Sequence, residues 1–301
     1  MIRSGKPEDL KSIYGLRKVQ VSLNSDSQEL YFQHQFNYRN VIVNEVNGQL
    51  KASLQLEYQP MVLKNRRVMC SIITGEFSDG RASGYLNELL EDAVRQLQAM
   101  TLVSAVFGAN SARYQKIGFE PVYNRRVYTV KRSMLKDISD SGIGRKFMLS
   151  ELRDLYREFT SHFDGYLLRS DEYWTKLMDY YLFLNYFVVV YRDENKKAQG
   201  YMVYHTEKET LVVDEIVYRS GLALLRMLAH AARVKPQVNV RVSQYEDLSL
   251  AIPDARFKLE SNCSIRINDL ELHNRLYKES CDSAVTAMLS SDKPLWISRG
   301  Y

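Results

Sequence analysis

The apolar positions of this chain change period several times, and the changes come in an order that repeats. Pro7 followed by Glu8 and Asp9 opens a helix toward Val21, because proline is tolerated in a first turn and carboxylates favour that end of the helix dipole. A short helix over Ser27 to Phe36 follows. Val41 to Val46 then reads as a strand, Asn47-Gly48 is a two-residue hairpin signal, Leu50 to Tyr58 is the returning strand, and Arg66 to Thr74 is a third. From Gly84 onward Leu86, Leu89, Leu90, Ala93, Val94, Leu97 and Met100 recur at three and four, the stripe of a helix packed on a sheet. Thr101 to Phe107 has the composition of a buried strand, Asn110 can cap a short helix through Lys116, and Phe119 to Val130 returns as a strand.

The charged, Gly- and Ser-bearing stretch Lys131 to Lys146 reads as a linker, after which the order begins again. Leu149 to Phe163 and Asp171 to Tyr181 are expected helices. Tyr186 to Tyr191, Gly200 to His205 and Leu211 to Tyr218 are expected strands, followed by the helix Leu222 to Arg233 and the strand Val238 to Val242. The repeat is one of architecture rather than of sequence. A length of 301 residues suits about two domains of ~150 residues. The expected fold is therefore α+β (mixed α/β), with tandem domains over 1–134 and 147–244. A remnant, 245–301, keeps a strand (Cys263 to Ile267) and an interrupted helix (Asp269 to Met288), and is too small for an independent core.

Composition narrows the class without naming a function. The net charge of +5 comes from 41 basic and 36 acidic residues spread through the chain, not from the clustered patch of a nucleic-acid binder. No run approaches the ~18 apolar residues of a membrane span, and the first residues lack a signal-peptide core, so no membrane partner and a cytoplasmic location are expected. Cys70, Cys263 and Cys281 show no CxxC spacing and read as reduced thiols. His34, His162, His205, His230 and His273 are isolated in sequence, and no metal site is expected.

The chemistry concentrates between the third strand and the long helix. There Thr74-Gly75-Glu76 runs through Asp79-Gly80 into Arg81-Ala82-Ser83-Gly84-Tyr85-Leu86-Asn87. Chain leaving a strand through a Gly-bearing loop into a helix N-terminus presents free backbone N–H groups and the positive end of the dipole, a cradle for phosphate. Alone, Arg81 to Gly84 reads rather as an ordinary strand-to-helix turn, because RxxG is common by chance. One helix and one strand later comes Asn110-Ser111-Ala112-Arg113-Tyr114-Gln115-Lys116-Ile117-Gly118-Phe119, which resembles, in compressed form, the NxxAxxxYxKxGF signature of the GNAT acetyltransferases. The DEYW segment around Trp174, the AQGYMVYH strand, Arg266 to Asp269 and the final PLWISRGY are similar to the tandem-domain Eis (enhanced intracellular survival) branch of that superfamily.

The resemblance implies an N-acetyltransferase that moves acetyl from acetyl-coenzyme A to a primary amine of a small molecule or a Lys side chain. Arg81, Ala82, Ser83, Gly84, Tyr85, Leu86 and Asn87 would bind the pyrophosphate. Thr74, Gly75 and Glu76 would pair with the pantetheine arm, and Ala109 and Asn110 would lie beside it. Tyr114 takes the general-acid position, and the carboxylate of Tyr301 takes that of the terminal base. A phenol with a reference pKa of ~10 gives its proton to a thiolate of ~8.5 at a cost of roughly 2 kcal/mol before tuning. The second domain, whose corresponding junction Tyr218-Arg219-Ser220-Gly221-Leu222 is too short for a cofactor loop, would wall the acceptor site and support a homo-oligomer. The Eis branch usually ends in a sterol-carrier-like domain, of which 245–301 would be a trimmed form.

Several alternatives stay open. Glu76 stands where a small or apolar residue is usual and reads either as a general base or as a solvent-facing carboxylate. Tyr301 is either a catalytic terminus or a frayed tail. Tyr114, Trp174, Tyr180 and Tyr181 also read as core aromatics, and Lys116 as a solvated face. The whole could be a degenerate GNAT-fold module that binds without catalysis. A tandem aminoacyl-transfer protein acting with RNA is disfavoured because no coiled-coil arm or basic cluster is visible.

Overall fold

The structure is a computed structural model that describes residues 1–20, 29, 31–79, 83–108 and 112–300. The chain folds into two compact units, Met1–Val122 with Cys263–Ser290, and Tyr123–Asn262 with Ser291–Tyr301. The expected remnant 245–301 is thus shared between the two units.

In the first unit, strands β1 (Ile2–Ser4), β2 (Val41–Val46), β3 (Gln49–Leu63) and β4 (Arg66–Ser78) form an antiparallel meander. β5 (Val103–Phe107) adds parallel to β4. Alternation in β2 sends Val41 and Val43 to one face, where they meet Ile13 and Leu16 of helix α1 (Leu10–Gln20) together with Tyr31 and Phe77. Ile42 goes to the other face, among Ala52, Leu54, Leu56 and Ile73.

That second face is covered by α2 (Ser83–Gln98), whose predicted stripe Leu86, Leu89, Leu90, Ala93, Val94 and Leu97 is buried throughout. At roughly 1.5–3 kcal/mol per fully buried Leu or Val, this docking outweighs the small propensity differences within the helix. Met100, expected in the stripe, lies past the helix end and is exposed. The hairpin strand expected to end at Tyr58 runs on to Leu63. It does so because Met61 and Leu63 are buried and the Lys64-Asn65 pair, both at positive φ, makes the next turn. Of the helix expected over Ser27 to Phe36, residues 27, 28 and 30 lie outside the described residues, and Tyr31–Gln35 is a π turn. α3 (Ala112–Lys116) follows β5.

The second unit repeats the scheme. From β6 (Glu120–Lys131), the residues Tyr123–Lys131 belong to it, with β7 (Ile143–Gly144), β8 (Tyr166–Leu167), β9 (Phe187–Arg192), β10 (Ala198–Glu207), β11 (Thr210–Tyr218) and β12 (Gln237–Ser243). β9, β10 and β11 form the antiparallel meander and β12 joins parallel to β11. Helices α4 (Leu149–Thr160) and α5 (Asp171–Phe183) cover one face, and α6 (Gly221–Val234) the other. Trp174 and Tyr181 are core residues, 2% exposed.

The segment Lys131 to Lys146 is not a detached linker. Leu135 is buried in the core and Arg132 donates to the carbonyls of Ala232 and Arg233 at the end of α6, at 2.6 and 2.9 Å. β13 (Arg256–Ile267) crosses from the second unit into the first, where Cys263–Ile267 pairs antiparallel with β5. α7 (Leu270–Tyr277) and α8 (Ala284–Leu289) close the first unit, split where Lys278 turns left-handed. Among the described residues no helix is long and apolar enough to cross a membrane. Among the described residues Cys70, Cys263 and Cys281 form no disulfide.

Candidate active site

β4 and β5 are paired only at Cys70↔Val103, Ser71↔Ser104 and Ile72↔Ala105. β4 then continues to Ser78 and β5 to Phe107 with no further pairing between them, so a notch opens at their carboxyl ends. The departure is built into β4. Its register with β3 jumps from Gln55↔Thr74 to Ser53↔Phe77, so that Gly75 and Glu76 both stand opposite Leu54 in a β-bulge. Gly75 has φ +58, and a Cβ there would lie 2.0 Å from the Tyr31 hydroxyl, so the position excludes every side chain on two grounds.

The bulge separates two polar residues. Thr74 donates through Oγ1 to Glu57 Oε1 at 3.0 Å, and the same oxygen accepts from Gln55 Nε2 at 3.1 Å. Gln55 is fixed in turn by the Asn37 N–H, 2.7 Å from its Oε1. Glu76 is partly buried. Desolvation pushes its carboxyl up to about 7, against the pull of its own backbone N–H and the charge of Arg113. A carboxyl near neutrality divides between its two forms at working pH, the property a general base requires.

α2 begins beside this notch with no acidic residue in its first turn, so no carboxylate of its own neutralises the positive helix end. Gly84 is exposed and a Cβ on it would meet nothing within 4 Å, which leaves its backbone open to approach. Of the other expected phosphate residues, Leu86 is 1% exposed and belongs to the core. Tyr85 is partly buried, with its carbonyl accepting from Asn44 Nδ2 at 3.2 Å. Arg81, Ala82, Ala109, Asn110 and Tyr301, and the side chain of Ser83, lie outside the described residues.

Tyr114 is 7% exposed, edge-on to Phe119 with ring centroids 5.8 Å apart, in the cluster that includes Leu86 and Leu90. Its neighbours on α3 show a feature the sequence reading passed over. Arg113 and Lys116 meet Asn87, Leu90 and Glu91 of α2 around a cleft of about 320 Å³. Two cations three residues apart on a short helix, opposite the start of a longer one, suit anionic oxygens. That spacing was the available signal.

The corresponding notch in the second unit is closed. β11 and β12 pair from Thr210↔Gln237 to Val213↔Val240 and then separate, but the chain's own tail occupies the gap. Ser243 Oγ donates to the Leu295 carbonyl at 2.8 Å, and Ser298 Oγ lies 3.4 Å from Glu215 Oε2. The space left there is about 10 Å³. α6 starts three residues after β11 ends, and Ser220 caps it by accepting from the Ala223 N–H at 3.2 Å, so one of its orphan donors is already used.

Comparison with known proteins agrees with this architecture. Residues 165–267 match the family model described as an acetyltransferase (GNAT) domain. The match falls on the half expected to lack the cofactor loop. A probable N-acyltransferase from Enterococcus faecalis V583 superposes with a TM-score of 0.75 at 17% identity, covering 90% of this chain and 73% of its own. A GCN5-related N-acetyltransferase from Anabaena variabilis ATCC 29413 gives 0.74 at 16% over the same shares. Eis1 from Mycobacterium abscessus gives 0.69 at 16%, covering 91% of this chain and 75% of its own. No curated protein matches the sequence. The chain therefore has the GNAT fold, and its residues 165–267 carry the match to a GNAT acetyltransferase domain. Within that class its fold is Eis-like.

Proposed function

We propose that this chain is an N-acetyltransferase that uses acetyl-coenzyme A to acetylate a primary amine, on a small molecule or a Lys side chain, in the first unit. The observation that carries the reading is the placement of Glu76. It sits at a bulge beside parting parallel strands, with a carboxyl raised to about 7. The resemblance to the Eis branch supports a cytoplasmic homo-oligomer.

Acetyl-coenzyme A, bound as a substrate, supplies an acetyl thioester. Backbone N–H groups at the start of α2, with Arg81, Ser83, Gly84 and Asn87, hold its phosphates, and Arg113 and Lys116 add positive charge. Glu76 takes a proton from the acceptor ammonium and releases it to solvent, the freed amine forms the N–C bond as the C–S bond breaks, Tyr114 gives a proton to the departing thiolate, and the second proton lost by the nitrogen restores the Tyr114 phenol. The Tyr301 carboxylate is the second candidate for the base. The second unit, with its notch filled by the tail, serves the acceptor side without chemistry of its own.

Thiol release from acetyl-coenzyme A, followed over a panel of amines beside direct binding of the coenzyme, tests this. Glu76→Gln is expected to lower turnover by ~10² to 10⁴-fold with coenzyme binding retained, and Tyr114→Phe likewise. A chain that binds the coenzyme but releases no thiol with any amine would be the binding module instead. Full turnover in Glu76→Gln would move the base to Tyr301.

A further inference from the structure

The segment Cys263–Ser290 of the first unit gathers a side-chain cluster that the isolated histidines of the sequence did not announce. α7 buries His273 completely, and neither ring nitrogen meets a hydrogen-bond partner among the described residues. An unsatisfied buried polar group costs about 1–3 kcal/mol, so an imidazole left in this state calls for a ligand. At the end of α7, Lys278 takes φ 56 and turns the chain back alongside the helix. Asn274 fixes the return by donating through Nδ2 to the Cys281 carbonyl at 2.8 Å and accepting from the Cys281 N–H at 3.0 Å. One ligand atom each from His273, Glu279 and Cys281 thereby lie within 4.8 Å of one another. Cys281 Sγ is 3.3 Å from Glu279 Oε2, and Ser290 Oγ is 3.0 Å from the same oxygen.

We propose that His273, Glu279 and Cys281 bind a borderline-soft divalent cation, with zinc the ion their chemistry fits best. Imidazole with thiolate selects zinc over magnesium or calcium, and three protein ligands leave one tetrahedral position for water or the Ser290 hydroxyl. Binding is a ligand exchange without redox. The Cys281 thiol gives its proton to solvent and its sulfur bonds the metal, and a ring nitrogen of His273 gains the partner it lacks. Lys64, from the turn between β3 and β4, already pairs with Glu279 and donates to Ser290 Oγ at 2.7 Å. Its ammonium stands where a cation would, so the ion competes with it for the carboxylate. When bound, the ion ties α7 to the segment leading into α8.

The test is a titration of the full chain, freed of metal by chelation, with Co²⁺ followed by its thiolate-to-cobalt charge-transfer absorption. The band is expected to saturate at one ion per chain and to bleach when Zn²⁺ is added. Cys281→Ser, at a partly exposed position, should lose the band while keeping its circular dichroism, and Glu279→Gln should weaken binding. Lys64→Gln should bind more tightly, because the competing ammonium is gone. No charge-transfer band in the unmodified chain would overturn the site, as would a band that survives Cys281→Ser. Weaker binding in Lys64→Gln would remove the ion from Glu279.

Discussion

Arg169 closes on Glu215 through two parallel hydrogen bonds, Nη1 to Oε1 at 2.8 Å and Nη2 to Oε2 at 2.5 Å, with both side chains shielded from solvent. Burial pushes the Glu215 carboxyl up, and the charge and hydrogen bonds of Arg169 more than reverse it, leaving the carboxyl below its ordinary range. Tyr201 adds a third hydrogen bond at 2.7 Å, and the guanidinium lies 4.1 Å from the Tyr156 ring centroid. Removing one partner strands the other charge. Arg169→Met is expected to destabilise the protein by about 3–5 kcal/mol, whereas Arg169→Met with Glu215→Met should cost much less, because a buried pair can be exchanged for apolar contact. Urea melts of the single and double variants check this.

The same pair bears on the tail. A Cβ on Gly300 would come 2.9 Å from Arg169 Nη2 and 3.1 Å from the Tyr181 hydroxyl. Tyr173 and Tyr181 donate to the carbonyls of Arg299 and Gly300 at 2.7 and 2.5 Å, while Trp296 and Ile297 are buried. Two truncations should therefore differ. Loss of 294–301 strips side chains from the core of the second unit and should lower the melting temperature sharply. Loss of Tyr301 alone should leave that temperature nearly unchanged, and should depress amine acetylation only if the terminal carboxylate is the base. Differential scanning calorimetry beside a thiol-release assay separates the two effects.

Gly75 offers a narrower test. Ala at this position must hold a left-handed φ and push its Cβ into the Tyr31 hydroxyl, so Gly75→Ala should cost at least ~1–3 kcal/mol and disturb the bulge that carries Glu76. Gly84→Ala is the control, since its Cβ meets open space within the chain, although it stands at the helix start where phosphate would approach. Stability should fall in the first variant and hold within about 1 kcal/mol in the second.

The contrast between these glycines shows where the sequence was legible. The α2 stripe, the Asn47-Gly48 turn and the doubled element order depend on local period and turn chemistry, which the residues state directly. The bulge depends on which residue of β3 faces Thr74, a matter of register between strands, so the setting that raises the Glu76 carboxyl could not be read from β4 alone. His273, Glu279 and Cys281 looked unrelated because their meeting requires the left-handed turn at Lys278 and the clamp from Asn274, neither of which has a strong sequence signature. The Lys131 to Lys146 stretch reads as a linker on composition because its polar surface hides the burial of Leu135 and the hydrogen bond from Arg132 to the end of α6.

Glu246 supplies a prediction about pH. It is buried in the second unit, with Oε1 accepting from the Tyr218 hydroxyl at 2.8 Å and Oε2 from the Ser243 N–H at 2.9 Å. Desolvation outweighs both hydrogen bonds and pushes the carboxyl up to about 7 from an ordinary value of 4.5. The neutral acid is thus the form the fold prefers, and its contribution to stability is complete below about 4.5 and lost as the pH rises through about 7. Between those values the unfolded chain has released the proton and the folded chain has not. The slope of stability against pH from this group is therefore negative there and flat above. Glu246→Gln mimics the protonated acid, with its carbonyl oxygen placed to accept from Ser243 and its amide to donate to the Tyr218 oxygen. The variant should match the parent near pH 4.5 and gain on it up to pH 7, by at most about 3 kcal/mol. Denaturant melts of both proteins across that range, taken as a difference so that other carboxyls cancel, measure the effect. A difference independent of pH would mean that Glu246 is ionised in the folded chain throughout.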